Sequence, residues 1–84
     1  MAVESVEEQM KDIVARIVRV DKGIIRREGT FKDINADSLD IVQVLLNVEE
    51  TFDIEIPDED AEQFQNFGDF VDYVERRVAE KGSG

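Results

Sequence analysis

Residues 36–52 read ADSLDIVQVLLNVEETF, and this stretch decides the fold. Asp37 is a good N-cap for a helix, and Asp40 lies in the first turn, where the helix dipole favours a carboxylate. The apolar residues that follow recur at spacings of three and four, which is the pattern of an amphipathic helix. The stretch therefore predicts a helix that begins at Asp37 or Ser38 and ends near Thr51.

This helix has more apolar residues than one buried face requires. Leu39, Val42 and Leu46 follow the spacing i, i+3, i+7 on a side next to the predicted core stripe. The pattern alone leaves two interpretations, since this second stripe could be buried in a wide core face or could contact a partner protein. The predicted core stripe consists of Ile41, Val44, Leu45, Val48 and Phe52.

The N-terminal part predicts a first helix from Ser5 to Arg19. Ser5 and Glu8 have the spacing of a capping box. A loop of about seventeen residues, 20–36, follows, and a loop of this length must be anchored on the core of so small a domain. The inward stripe of the first helix is Val3, Val6, Met10, Ile13, Val14, Ile17 and Val18. The loop residues expected to anchor on the core are Ile24, Ile25, Phe31 and Ile34.

The C-terminal part predicts a short helix and a longer one. Pro57 ends an extended segment that has no partner strand, and a short third helix is expected from Asp58 to Phe64. Asn66 can cap the last helix. The inward face of that helix is Phe67, Phe70, Val71, Val74 and Val78.

Together these elements predict an all-α fold. We expect a small four-helix bundle of three longer helices and one short helix, with a long loop between helices 1 and 2. Residues 1–80 are predicted to form one domain, and residues 81–84 a disordered tail.

Composition excludes several classes of function. The 84 residues include no cysteine and no histidine, so no thiolate nucleophile, thiolate metal site or Ser-His-Asp arrangement can be built. The acid-rich segment 53–62 lacks the glycine and the closing glutamate of a calcium loop, so no metal site is predicted. A bundle this small leaves little room for a closed pocket, and we expect a protein that is not an enzyme.

Charge is the second strong constraint on function. The net charge of −11 repels nucleic acid and anionic membranes and favours basic protein partners. All ten Lys and Arg fall within residues 11–32 or 76–81, whereas residues 33–75 contain fourteen acidic residues. This segregation favours a one-sided docking face over acidic residues that serve solubility alone. No apolar run could span a bilayer and the N-terminus is too polar for a signal peptide, so a cytoplasmic or organelle-matrix location without membrane insertion is expected.

Ser38 has two interpretations. Serine is ordinary in the first turn of a helix, so the residue could be structural only. Alternatively, an exposed hydroxyl at a helix N-terminus, where free N–H groups and the dipole favour a phosphate, could be a modification site. The chain offers no histidine as a base, so another protein would have to supply the catalyst.

The segment ADSLDIV at residues 36–42, followed by VEETFDIEIPDEDAE at residues 48–62, resembles the acyl carrier proteins. The resemblance extends from the first helix to Val78. It implies that Ser38 receives a 4′-phosphopantetheine arm from coenzyme A through a separate, magnesium-dependent phosphopantetheinyl transferase. The thiol of that arm carries acyl groups as thioesters to enzymes of fatty-acid or related lipid and polyketide synthesis.

The resemblance also implies a docking surface on the second helix for basic patches of acyl-chain synthesising and transferring enzymes. It gives the apolar stripe a use as a partner contact within a charged rim. A monomer is expected. The implied docking residues are Asp37, Leu39, Asp40, Val42, Leu46, Glu49 and Glu50, with Asp58 and Glu59 as a weaker extension.

Three departures from the family pattern bear on specificity. Gln43 replaces an acid in the middle of the second helix, and Asn35 replaces a glycine that can adopt positive φ. Bulky rings in the last part of the chain are expected to restrict the acyl cavity and favour short acyl groups. The predicted cavity residues are Val44, Leu45, Val48, Ile56, Ala61, Phe64 and Phe70.

Two other functions remain open on the sequence. An aminoacyl or peptidyl carrier is less acidic as a rule and has a G-G-x-S type of motif, which is absent here. An unmodified acidic helical adaptor that binds a basic partner would explain the charge without a modified serine.

Overall fold

The computed structural model describes residues 5–82 and contains no strand within that range. Three longer helices and one short helix form the bundle, which confirms the predicted fold class. Val3 and residues 83–84 lie outside the described part of the chain. The helices are α1 (Val6–Val18), α2 (Ser38–Phe52), α3 (Asp58–Ala61) and α4 (Phe67–Gly82), with one 3-10 turn at Lys22–Ile24.

Two of the predicted bounds differ from the structure. Helix α3 ends at Ala61, three residues before Phe64, because residues 62 and 63 form a turn that leads towards α4. Helix α4 continues through Lys81 and Gly82, the first two residues of the segment expected to be a tail. The Lys81 ammonium contributes to this extension, since it binds both the carbonyl oxygen and the carboxylate of Asp53 at the end of α2.

Side-chain caps define where the long helices begin. The Ser5 hydroxyl accepts from the N–H of Glu8 at 3.1 Å, as the capping-box spacing suggested. Asn66 Oδ1 accepts from the N–H of Asp69 at 2.8 Å and thereby starts α4. These bonds satisfy helix N–H groups that have no partner within the helix.

One continuous apolar core lies between α1, α2 and α4. Val44 and Val48 supply the fully buried part of α2, while Ile41, Leu45 and Phe52 of the predicted stripe are half-buried. Tyr73 of α4 is also buried, although the sequence pattern did not place it in the core. The buried apolar residues are Met10, Ile13, Val14, Ile25, Val44, Val48, Ile54, Ile56, Phe67, Phe70, Val71, Tyr73 and Val74.

The long loop is fastened to the core, as its length required. Ile25 is buried and both Phe31 and Ile34 are half-buried against the core. Ile24 was also expected to anchor the loop, but this prediction is wrong, since its side chain is 51% exposed. Ile24 and Ile25 are neighbours at the end of a 3-10 turn, so their side chains diverge and only one can enter the core.

Arg27 connects the loop to two helices. Its guanidinium donates to Glu7 of α1 at 2.7 Å and to Asp72 of α4 at 2.6 Å. The hydrogen bond from Arg27 holds the pKa of the Glu7 carboxyl below its ordinary value. The loop is therefore held by polar contacts as well as by its apolar residues. No helix in residues 5–82 has the length and apolar character needed to cross a membrane.

Candidate functional site

Ser38 is the first residue of α2 and is exposed. Asp37 immediately before it is the N-cap, with extended backbone at φ −91° and ψ 178°. The N–H of Asp40 donates to Asp37 Oδ1 at 2.9 Å, and the N–H of Asp37 is 3.4 Å from Asp40 Oδ2. These two reciprocal contacts form a capping box that fixes the turn around Ser38.

A tight turn delivers the chain to this helix start. Asn35 has φ 62°, the left-handed conformation that the sequence suggested for it. Its N–H donates to the carbonyl oxygen of Lys32 at 3.0 Å, and the N–H of Ala36 donates to that of Phe31 at 3.0 Å. Asparagine tolerates this conformation better than most residues, so it can occupy a position where glycine is usual.

The second apolar stripe of α2 lies on the surface. The side chains of Leu39, Val42 and Leu46 are 65%, 50% and 52% exposed. The interpretation that this stripe belongs to a wide core face is therefore wrong. Three large apolar side chains at helical spacing form an exposed patch beside Ser38, which is a feature of interaction surfaces.

The acidic residues of α2 surround this stripe without cationic partners. Asp37 and Glu50 are exposed, and Asp40 and Glu49 are half-buried. Within residues 5–82, none of these four carboxylates forms a salt bridge. The cations that do form ion pairs lie on the loop, α1 and α4. Leu46, Glu49 and Glu50 line one surface depression, so the C-terminal end of the stripe lies beside these two acids.

Glu49 has a structural contact that the sequence did not indicate. Its Oε2 accepts from the N–H of Ile56 at 2.7 Å and so ties the end of α2 to the segment before α3. Asp58 and Glu59, the predicted extension of the docking surface, are exposed at the start of α3. The Glu49 contact thus helps to place these two acids relative to α2.

Only some of the residues predicted to line an acyl cavity line the same space in the structure. A cavity of about 470 Å³ opens between the loop and the start of α4. Phe64 and Phe70 line this cavity, together with Phe31 and Ile34 of the loop. The other predicted residues do not line it: Val44, Val48 and Ile56 are buried in the core, and Leu45 and Ala61 are half-buried.

Tyr73 organises the aromatic cluster next to that cavity. The Phe64 ring stacks on Phe70 with centroids 5.0 Å apart and meets Tyr73 edge-on at 5.2 Å. The Tyr73 hydroxyl donates to Asp60 Oδ2 at 2.6 Å and accepts from Arg77 at 2.9 Å. Burial, with the hydrogen bond to Asp60 acting in the same direction, raises the pKa of Tyr73 above its ordinary value, so the hydroxyl remains a donor at neutral pH.

In the described range, no three carboxylates converge in a group that could hold a metal ion. Asp58 and Glu59 of the acid-rich segment are exposed, whereas the Asp60 carboxylate accepts from the Tyr73 hydroxyl.

The chain matches a protein-family model over most of its length. Residues 8–74 match the family described as "Phosphopantetheine attachment site". Proteins of this family carry 4′-phosphopantetheine covalently on a serine, and such a carrier is a substrate of a phosphopantetheinyl transferase. The matched range includes the capped start of α2, the exposed stripe and all of α3.

Proposed function

The chain belongs to the phosphopantetheine attachment site family, and we propose that Ser38 is its attachment residue. The observation that carries this proposal is the exposed Ser38 hydroxyl at the capped first turn of α2, within the matched range. Of the three serines in the chain, Ser5 caps α1 through its own hydroxyl, which accepts from Glu8, and Ser83 lies beyond the match.

The reaction forms a phosphodiester between Ser38 Oγ and the phosphopantetheine phosphate of coenzyme A. The Ser38 oxygen attacks that phosphorus, the pyrophosphate bond breaks, and the nucleotide half of coenzyme A leaves. The chain contains no histidine or cysteine, and we assign the base that takes the Ser38 proton to the transferase. The roles of this chain are to expose the hydroxyl and to hold it on a rigid helix start through Asp37 and Asp40.

The bound arm supplies a thiol, which holds an acyl group as a thioester. The protein then acts as an acyl carrier that delivers intermediates to enzymes of fatty-acid or related lipid and polyketide synthesis. The acidic composition and the absence of a G-G-x-S motif support an acyl cargo over an aminoacyl or peptidyl one. The family match supports a carrier over an unmodified adaptor.

Partner enzymes dock on the face that contains the stripe of Leu39, Val42 and Leu46. Their apolar residues contact this stripe, and their basic residues contact the acids around it. The docking acids are Asp37, Asp40, Glu49 and Glu50 of α2, extended by Asp58 and Glu59 of α3. The exposure of the stripe and the absence of cationic partners for the acids of α2 within residues 5–82 support this surface.

The cargo itself is proposed to be short. The apolar space that remains is bounded by the large rings of Phe64 and Phe70, and the aliphatic residues of α2 already fill the core. The test compares the melting temperatures of protein samples whose Ser38 arm is loaded with acyl groups of increasing length. Stabilisation is expected to level off at short chains, and a gain that keeps rising with length would contradict a restricted space.

The attachment itself is tested by intact mass before and after incubation with coenzyme A, magnesium and a broad-specificity phosphopantetheinyl transferase. A mass gain of one phosphopantetheine is expected. A folded protein that gains no mass with several transferases would contradict the carrier function.

A further inference from the structure

Helix α3 is too short to be stable by itself. It contains only four residues, of which Asp58, Glu59 and Asp60 are acidic and none is buried. Isolated helices shorter than about 12 residues are marginal in water. Its N-cap, Pro57, provides no side-chain hydrogen bond. The position of α3 must therefore come from contacts with the rest of the bundle.

The segment that contains α3 is fixed at both ends by carboxylates. Before it, the N–H of Ile56 donates to Glu49 Oε2 at 2.7 Å. After it, the N–H of Gln65 donates to Asp69 Oδ2 at 3.1 Å. Residues 57–64, here called the α3 flap, lie between these two fixed points. Because a helix as short as α3 is not stable alone, a flap that leaves α4 also loses its own backbone hydrogen bonds.

One side-chain hydrogen bond joins the middle of the flap to α4. The Tyr73 hydroxyl donates to Asp60 Oδ2 at 2.6 Å, and Arg77 Nη1 donates to the same hydroxyl at 2.9 Å. A tyrosine hydroxyl has a single proton and arginine can only donate, so Arg77 directs that proton towards Asp60. A hydrogen bond from a hydroxyl to a carboxylate is charge-assisted and therefore strong. Among the described residues, no other side-chain hydrogen bond links the flap to α4.

We propose that the Tyr73–Asp60 hydrogen bond is a latch that holds the α3 flap closed against α4. Phe64, at the end of the flap, stacks on Phe70 and lines the cavity between the loop and α4. Release of Asp60 lets the flap lift, separates Phe64 from Phe70 and widens that cavity. The latch consists of Asp60, Tyr73 and Arg77, and its test uses the unmodified protein, so a failure of the latch and a failure of attachment at Ser38 are distinguishable.

Native-state hydrogen exchange in the unmodified protein tests the latch. The amides of Ala61 and Glu62 are suitable reporters, because they donate within the flap to Pro57 and Asp58 at 3.0 and 3.1 Å. Tyr73→Phe removes only the hydroxyl and keeps the ring that contacts Phe64. We expect exchange at these two amides to become about 10-fold to 100-fold faster, the range expected for loss of a hydrogen bond to a charged group. Amides of α1 and α2 should keep their rates.

A second variant separates the latch from the intrinsic stability of α3. Asp60 and Glu59 both lie in the first turn of α3, so replacing either acid removes a similar interaction with the helix dipole, but only Asp60→Ala removes the latch. The latch predicts faster exchange, and the double variant with Tyr73→Phe should be no faster than the faster single variant. Glu59→Ala, at an exposed neighbouring position, is the matched control and should accelerate exchange far less than Asp60→Ala.

The uncharged dye N-phenyl-1-naphthylamine reports on the cavity in the same variants. Its fluorescence should rise more on addition to Tyr73→Phe than to the wild type. Three results would overturn the proposal: unchanged exchange at Ala61 and Glu62 in both latch variants, equal acceleration throughout α1 and α2, or dye fluorescence equal to that of the wild type.

Discussion

The backbone N–H of Gly68 donates to the carbonyl oxygen of Arg27 at 2.7 Å and so joins the first turn of α4 to the long loop. A Cβ at position 68 would lie 3.1 Å from that oxygen and 3.2 Å from the Arg27 Cβ. The neighbouring N–H of Phe67 donates to Gly29 at 2.8 Å, so the oxygen of Arg27 cannot move away independently. The close approach of loop and helix therefore depends on glycine at position 68.

Gly68→Ala is expected to lower the free energy of unfolding by about 1 kcal/mol, because crowding against Arg27 outweighs the gain in helix propensity. Urea denaturation measures the change. Gly23→Ala is the matched control, since a Cβ there has no heavy atom within 4 Å and the variant should unfold like the wild type. If Gly68→Ala were as stable as the wild type, the loop would have moved away from the added Cβ at no cost in stability, which would contradict the dependence on glycine.

Glu49→Gln and Glu50→Gln remove one charge each from the same part of α2 but should differ in stability. Glu49 accepts from the N–H of Ile56, whereas Glu50 is exposed. Weakening a hydrogen bond to a charged group is expected to cost about 1 kcal/mol for Glu49→Gln, with a negligible cost for Glu50→Gln. Thermal unfolding compares the two. Equal stability of the two variants would contradict a structural contribution from Glu49.

The sequence predicted the parts of the structure that depend on local periodicity and capping. Asp37, Ser5 and Asn66 begin their helices as expected, because a cap is a contact within a few residues. Tyr73 was not predicted as a core residue, since its polar hydroxyl is satisfied by Asp60, thirteen residues away. Contacts of this kind depend on how the helices pack.

In the candidate site, too, the features that depend on neighbouring residues were predicted and those that depend on helix packing were not. The exposure of Ser38 and the conformation of Asn35 agree with expectations from the motif itself. The cavity lies beside the loop, away from Val44 and Val48, because the rotation of α2 about its axis decides which aliphatic residues fill the core. Periodicity identified the core stripe of α2, but only the packing shows that the second stripe is exposed.

Arg27→Gln should make the free energy of unfolding vary less with pH in the acidic range. The hydrogen bond from Arg27 contributes most to lowering the pKa of Glu7 from its ordinary value of 4.5. A lowered carboxylate pKa stabilises the folded state above the ordinary pKa, and this contribution is lost as the pH falls through the folded pKa. The variant should therefore be less stable than the wild type near neutral pH, and the difference should shrink as the pH falls below about 4.

Urea titrations of both proteins between about pH 6 and pH 3 measure this difference. Arg16→Gln is the control, since Arg16 is exposed and forms no ion pair within residues 5–82. A constant difference between Arg27→Gln and the wild type across this range would exclude the Glu7 contact as its source.

Leu46→Ala should impair docking without affecting the fold. Leu46 is 52% exposed in the stripe of α2, and Ile24 is equally exposed at 51% on the loop. Truncation of a central apolar contact in an interface costs about 1–2 kcal/mol, so kcat/KM of the transferase is expected to fall about tenfold for Leu46→Ala. Ile24→Ala, the matched control, should be modified at the wild-type rate. Equal rates for the two variants would place docking elsewhere.

The central claim is that Ser38 is the residue that carries 4′-phosphopantetheine. The most direct measurement is intact mass after incubation with coenzyme A, magnesium and a phosphopantetheinyl transferase, on the wild type, Ser38→Ala and Ser5→Ala. Ser5→Ala is the matched control, because Ser5 is also an exposed serine at a helix N-terminus. We predict a gain of one phosphopantetheine on the wild type and on Ser5→Ala, and none on Ser38→Ala. A gain on Ser38→Ala, or its loss in folded Ser5→Ala alone, would contradict the assignment.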